Sequence, residues 1–183
     1  MIKIRNLSVR LGDKQIFQDY SIDLPNSGIV LISGESGIGK TTLLRVLCGL
    51  QKPDSGMIKG LSNRRISFVF QEPRLLNHMT AIQNAAVVSD EKTAERLLKQ
   101  LNMNDAMSVR ASELSGGQKQ RVSLARAFAY SNDIVLLDEP FTGLDEQNKL
   151  FAAELIRTAN LAIVVSHDPS DADLLHIDRK IVL

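Results

Sequence analysis

One cysteine, no tryptophan and 4% aromatic residues mark this 183-residue sequence as poor in the residues that carry covalent cross-links or large ring contacts. The lone thiol, Cys48, excludes an internal disulfide and a cysteine metal cluster, and it fits a reducing compartment. Neither sign of charge is in excess. With 22 Lys and Arg against 21 Asp and Glu, the net charge is +1. No global field therefore favours nucleic acid or an acidic surface. No apolar run reaches the roughly 18 residues that a membrane span needs, and Met1 to Arg10 lack the apolar centre of a signal peptide. The expectation is a cytosolic protein that meets a membrane only through a partner. Repeats and low-complexity tracts are also missing. What is present is enough apolar content, 44%, for a real core. The length suits one compact domain with room for a small inserted lobe.

Along the chain, Ile2, Ile4, Leu7 and Val9 predict an edge strand with one break in its alternation. Ile16 to Leu24 alternate more regularly, with Gly12-Asp13-Lys14 as the hairpin turn between. Gly28 to Ser33 is a continuous apolar run, as in a strand buried on both faces. A helix is expected from Lys40 to Gly49, a turn at Lys52 to Gly56, and a strand at Ile66 to Phe70. From Gln71 to Glu113 strand signals vanish, and Ala94, Leu97, Leu98 and Leu101 recur at helical spacing, which predicts a helical insert. Val122, Ala125 and Phe128 mark a later helix. Ile134 to Leu137 and Leu161 to Val165 read as buried strands, residues 145–158 as a helix, and residues 180–183 as a last short strand. Strands alternating with helices imply an α/β fold with a mostly parallel sheet. Cys48 reads as buried. Met103 and Met107 read as packing for the insert, and Arg64-Arg65 and Lys119-Gln120-Arg121 as short solvated or phosphate-side basic clusters.

Two glycine-rich segments carry the chemistry. Gly34-Glu35-Ser36-Gly37-Ile38-Gly39-Lys40-Thr41 fits the phosphate-loop pattern between an expected strand and helix. Its backbone N–H groups and the helix N-terminus converge on phosphate oxygens. Lys40 reaches the β- and γ-phosphates, and Thr41 coordinates Mg²⁺. Such a pattern arises by chance in about 1 in 100 chains of this size, so its flanks matter. The run Ile134-Val135-Leu136-Leu137-Asp138-Glu139 supplies the partner signal: two carboxylates leave the C-terminal end of a buried strand, where ligands of open α/β sheets sit. Asp138 is expected to hold Mg²⁺ through water, and Glu139 to orient or deprotonate the attacking water. The bland alternative is a solvated pair capping the next segment. The second segment is Leu114-Ser115-Gly116-Gly117-Gln118, a glycine turn opening a helix.

With these residues in this order the sequence resembles the ATP-binding cassette (ABC) family, the nucleotide-binding subunits of ABC transporters, over nearly the whole chain. The five residues 114–118 are that family's signature, and they recur by chance in on the order of 1 in several thousand chains. The resemblance implies a P-loop core of mostly parallel sheet with an N-terminal antiparallel β subdomain and a helical insert. It implies a single domain over 1–183, with 1–70 and 115–183 as the nucleotide-binding core and 71–114 as the helical subdomain. It implies ATP and Mg²⁺ as cofactors. The loop Gly34 to Thr41 with Thr42 binds ATP within one subunit, and Ser115, Gly116, Gly117, Gln118 and Asp145 meet the ATP of a second copy. Gln71 matches the glutamine that senses Mg²⁺ and water, Gly143-Leu144-Asp145 the loop that touches the partner's site, and His167 the histidine that contacts the γ-phosphate. Glu139, His167 and Gln71 are thus the catalytic set, and Thr41, Gln71 and Asp138 the metal set. His78 and His176 lack such placement and read as ordinary surface or helix residues.

The implied function is an ATPase that dimerises around two ATP. It drives transmembrane permease subunits from the cytoplasmic face of the membrane, with no nucleic acid partner. Pro73, Leu75, Leu76 and Met79 offer the docking surface. Gln71 to Leu76 lean toward importers of sulfonate or nitrate-type solutes, and no regulatory C-terminal domain is expected after His167. The alternatives are a soluble ABC ATPase of repair or translation, or a small P-loop kinase; the latter has no use for residues 114–118. One departure concerns position 11, where the family usually has an aromatic residue stacked on adenine and this sequence has Leu11. Weak discrimination between ATP and GTP is the expectation. The solute, the permease and the direction of transport are not written in the chain.

Overall fold

The structure, a computed structural model, describes residues 1–183. It opens with β1 (Ile2–Leu11), β2 (Lys14–Leu24), β3 (Gly28–Ser33) and α1 (Lys40–Leu47), followed by β4 (Ser55–Lys59) and β5 (Ile66–Val69). Helices α2 (Ala81–Ala86) and α3 (Glu91–Gln100), a 3₁₀ turn at Asn104–Ala106 and α4 (Gly116–Tyr130) come next. The chain closes with β6 (Ile134–Asp138), α5 (Glu146–Ile156), β7 (Leu161–Val165), α6 (Ser170–Leu175) and β8 (Arg179–Val182). A parallel five-stranded sheet runs in the order β5-β6-β7-β3-β8, and an antiparallel three-stranded sheet in the order β2-β1-β4.

The apolar runs of β3, β6 and β7 divide between the two faces of the parallel sheet, as the two-residue strand period requires. Ile29, Leu31, Val135, Leu137, Ala162 and Val164 face α2 to α6. Their neighbours Val30, Ile32, Ile134, Leu136, Ile163 and Val165 face α1 and the antiparallel sheet, where they meet Leu43, Leu44, Leu47, Ile4, Leu7 and Phe17. Every residue of β6 and of β7 is buried. Each such side chain contributes about 1.5–3 kcal/mol of transfer free energy, so these central strands hold the sheet rigid beneath the loops that leave it.

Those loops all leave the same edge. Ile32 and Asp138 both pair with Val165, and Val69 pairs with Leu137, so the C-terminal ends of β3, β5, β6 and β7 lie level. Gly34, Gln71, Glu139 and His167 follow within two residues of those ends.

Some expectations need correction. β1 is the central strand of its sheet, not an edge, and its broken alternation is a pair of register shifts around Leu7, with Asn6 in the left-handed region at φ 48°. The expected turn at 52–56 ends at Asp54. Ser55 already pairs with Ser8, and β4, mostly exposed, has too little apolar pattern to announce itself. α6 was not expected at all, being six residues long. Between Phe70 and Ser115 the regular elements are the helices α2 and α3 and the 3₁₀ turn, joined by loops, and the one strand-like pairing is the bridge of Thr80 to Arg110. Met103 is buried and Met107 partly so, both against the insert's core. Cys48 is only half-buried, at the end of α1, where its Sγ–H donates to the Arg45 carbonyl. No helix is long and apolar enough to cross a membrane.

Candidate functional site

The phosphate loop is built from the buried strand β3 on one side and α1 on the other. Gly39 is the N-cap of α1 with φ 119° and no side-chain cap, which leaves the first N–H groups of the helix aimed into the loop. Glycine is required there twice over. The φ value is left-handed, and a Cβ would stand 2.6 Å from Ile16 Cγ2 and 2.9 Å from the Phe17 ring. β2 therefore floors the loop. Lys40 Nζ donates to the carbonyls of Gly34 and Glu35, each at 2.8 Å, and so lies across the mouth of the loop.

Thr41 Oγ1 donates to both carboxylate oxygens of Asp138, at 2.8 and 3.1 Å. Asp138 is buried, and that burial raises its carboxyl pKa; the Thr41 bond works against the rise and the neighbouring Glu139 charge adds to it. Glu139 has φ 51°, and its backbone N–H donates to the Val165 carbonyl at 2.9 Å. This left-handed kink, rare for a non-glycine residue, turns its side chain back across β7. Glu139 Oε2 then lies 2.9 Å from His167 Nδ1. That bond and the carboxylate charge raise the imidazole pKa above its ordinary value.

One cavity of about 720 Å³ gathers these groups, with Gln71 on its wall and Leu11, Lys14 and Ile16 at its β1–β2 end. Gly34, Ser36, Gly37, Gly39 and Thr42 line it as well. Glu35 and Ile38 belong to the loop but point outward. Lys14 and Ile16 escaped the sequence reading, because only the hairpin register, Leu11 opposite Lys14, brings them to the loop.

The second glycine segment lies elsewhere. Ser115, Gly116, Gly117, Gln118 and Asp145 are not part of that cavity. Ser115 caps the 15-residue α4 in a reciprocal box: its Oγ accepts the Gln118 N–H, and the Gln118 side chain accepts the Ser115 N–H. Ser115 and Gly116 are exposed, with open space beside Gly116. Gly117 packs against the backbone of Gly143, where a Cβ would sit 2.5 Å from the carbonyl oxygen. Asp145 caps α5 through the Asn148 N–H. Segments 114–118 and 143–145 thus form one surface, separate from the cavity. His78 and His176 are exposed and do not line the cavity.

The basic cluster 119–121 is not a solvated face. Gln120 is 1% and Arg121 8% exposed. Gln120 Nε2 donates to the Pro140 carbonyl, and Arg121 Nη1 donates to the carbonyls of Leu101 and Asn102 and to Asn148 Oδ1.

A parallel sheet ending in a phosphate loop, a buried Asp138 and a Glu139–His167 pair defines a P-loop nucleoside triphosphatase. Residues 17–142 match the ABC transporter family. The chain is 38% identical over 205 residues to the probable sulfate/thiosulfate import ATP-binding protein CysA of Chlorella vulgaris, covering 100% of this chain and 86% of that protein. It is 38% identical over 196 residues to the aliphatic sulfonates import ATP-binding protein SsuB of Zymomonas mobilis, covering all of this chain and 81% of that one. It is 37% identical over 209 residues to CysA of Pseudomonas putida, of which it spans 63%. The ATP-binding cassette MJ0796, in a dimeric post-hydrolysis state bound to ADP and Pi, superposes with a TM-score of 0.87 at 26% identity, over 100% of this chain and 94% of that one. The chain belongs to the ABC transporter family, as an ATP-binding and ATP-hydrolysing subunit.

Proposed function

We propose that this chain powers an importer of a sulfur oxyanion or sulfonate, hydrolysing ATP between two copies of itself at the cytoplasmic face of the membrane. The observation that carries the hydrolytic part is the Glu139–His167 contact beside the phosphate loop, at the end of a buried strand. The sulfur chemistry comes from the relatives, which are import proteins for sulfate/thiosulfate and for aliphatic sulfonates. Docking to the permease falls to the helical subdomain 71–114. There Leu76, Val87 and Val88 are exposed, and the fully buried Asn84 pins Leu76 through its backbone N–H and carbonyl.

In this reading the loop N–H groups and Lys40 hold the phosphates. Thr41 and Asp138, joined at 2.8 Å with Gln71 on the same wall, are a fitting donor set for Mg²⁺: the Thr41 hydroxyl would coordinate it, Asp138 would hold it through water, and Gln71 would stand beside it. Bound there, the ion neutralises charge on the phosphate oxygens. Glu139 accepts the proton of the attacking water. In the protonated imidazole, which the Glu139 contact favours, Nδ1–H donates to Glu139 and Nε2–H is left to donate to the γ-phosphate. Ser115, Gly116 and Gly117 of the second copy close the site from the other side, with α4's N-terminus behind them.

Glu139→Gln tests this. The variant should keep ATP affinity, lose about 10²–10⁴-fold in turnover and accumulate as an ATP-bound dimer in light scattering. Wild-type turnover in that variant, or a monomeric mass at saturating ATP, refutes the assignment.

A further inference from the structure

We propose that Asp171 is a positioning residue of the hydrolytic site: through the Ser166 hydroxyl it fixes the turn that carries His167, and so holds that imidazole against Glu139. The proposal rests on the reading of Glu139 and His167 as the hydrolytic pair.

The His167 side chain is 77% exposed, and its one polar contact is Glu139 Oε2. An imidazole so free of packing takes its direction from the backbone of residues 166–170. Two clamps shape that backbone. The outer one is solvent-facing: the Asp168 carboxylate accepts the Ser170 N–H at 2.9 Å and the Ser170 hydroxyl at 2.7 Å. The inner one is buried. Ser166 Oγ accepts the Asp168 N–H at 3.1 Å and donates to Asp171 Oδ2 at 2.5 Å, with Ser166 2% and Asp171 3% exposed. Asp171 sits in the first turn of α6, whose far end is anchored by the fully buried Leu175. The inner clamp therefore ties the His167 turn to the core, and the outer one reaches beyond the turn only through the long Lys149 contact at 3.8 Å.

Asp171 has no cation of its own. Lys149 lies against Glu146 at 3.3 Å and Asp168 at 3.8 Å. The second Asp171 oxygen, Oδ1, has no protein partner. Asp171 is among the residues that line a cavity of about 210 Å³, with Glu139, Thr142, Lys149 and His167. Burial, with the Asp168 and Glu139 charges, raises this carboxyl pKa against the pull of the Ser166 bond and the Lys149 charge. What Asp171 offers its loop is an acceptor of the right shape, and an asparagine offers the same.

The test reads the imidazole directly. The three histidines are followed by NMR titration of the full chain without nucleotide, with His167→Gln to assign the signal. Wild-type His167 should titrate above the ordinary value of about 6.5. Asp171→Asn should lower that midpoint only slightly, by the lost Asp171 charge, and keep it above the ordinary value with ATP turnover retained. Asp171→Ala should return the midpoint toward about 6.5 and lower turnover by roughly tenfold or more, the cost of a misplaced group. An unshifted midpoint in Asp171→Ala overturns the proposal. So does an Asp171→Asn variant as impaired as the alanine, since charge and not shape would then be at work. Should Asp171→Ala fail to fold, Ser166→Ala cuts the same clamp with less change in volume and must give the same return, and an unmoved midpoint there is equally fatal. Full ATP turnover by His167→Gln would instead sink the hydrolytic reading and leave the titration result standing.

Discussion

Leu11 ends β1, 41% exposed at the mouth of the cavity, and Ile16 of β2 lines the same end. No aromatic side chain lines that cavity. Phe17 and Tyr20, the nearest rings in sequence, stack on one another with centroids 5.2 Å apart, and Phe17 is buried beneath Gly39. A base entering this end meets aliphatic carbon and the Lys14 ammonium, a lining that does not tell adenine from guanine by hydrogen bonding. ATP and GTP should therefore bind within about threefold of each other, since neither gains a directional contact worth even 1 kcal/mol. Leu11→Tyr should tighten ATP by about fivefold or more, because a ring stacked on a base is worth about 1–3 kcal/mol. Calorimetric titration of both nucleotides checks this, and ATP affinity equal to or above that of the tyrosine variant disproves it.

At the scale of elements, what could be read in advance was whatever the chain states locally. β3, β6 and β7 are buried on both faces, so their runs are continuous and need no partner to be recognised. The phosphate loop, the Asp138-Glu139 pair and the 114–118 turn are contiguous, and α4 carries its own start signal in Ser115 and Gln118. What stayed hidden depends on distant partners. β4 exists because β1 offers it an edge. Arg121 looks like a surface cation until the end of α3 and Asn148, 19 to 27 residues away, close around it. Its guanidinium caps the α3 C-terminus, where carbonyls favour a cation. Burial still lowers its pKa, with only the Asp145 charge opposing. Asn148 continues the chain of bonds to the Asp145 carboxylate. Arg121→Met should strand those acceptors and cost about 2–3 kcal/mol in urea unfolding, with Arg121→Lys recovering only part, since an ammonium does not span the same fork. An unchanged unfolding midpoint in the methionine variant would show that α3 does not depend on Arg121.

At the scale of the whole molecule the two glycine segments serve different surfaces. Lys40, Thr41, Asp138, Glu139 and His167 share one cavity, while Ser115 and Gly116 stand exposed at the head of α4, outside it. A two-fold axis between two copies is the simplest operation that sets each α4 N-terminus against the other's phosphate loop. That arrangement has an arithmetic consequence. Let one copy carry Lys40→Ala and the other Ser115→Arg, a change made at an exposed position. Each variant alone has two broken sites per dimer and should be nearly inactive. In a mixed dimer one site collects both lesions and the other collects none. Random pairing makes about half of all dimers mixed, so an equimolar mixture should recover about a quarter of wild-type turnover. Dilution should abolish the recovery faster than in proportion to concentration, because the active species is a pair. A mixture no more active than the average of its two components would mean that each chain completes its own reaction centre. The exposed Ser115 turn would then have to be explained by something other than a second copy of this chain.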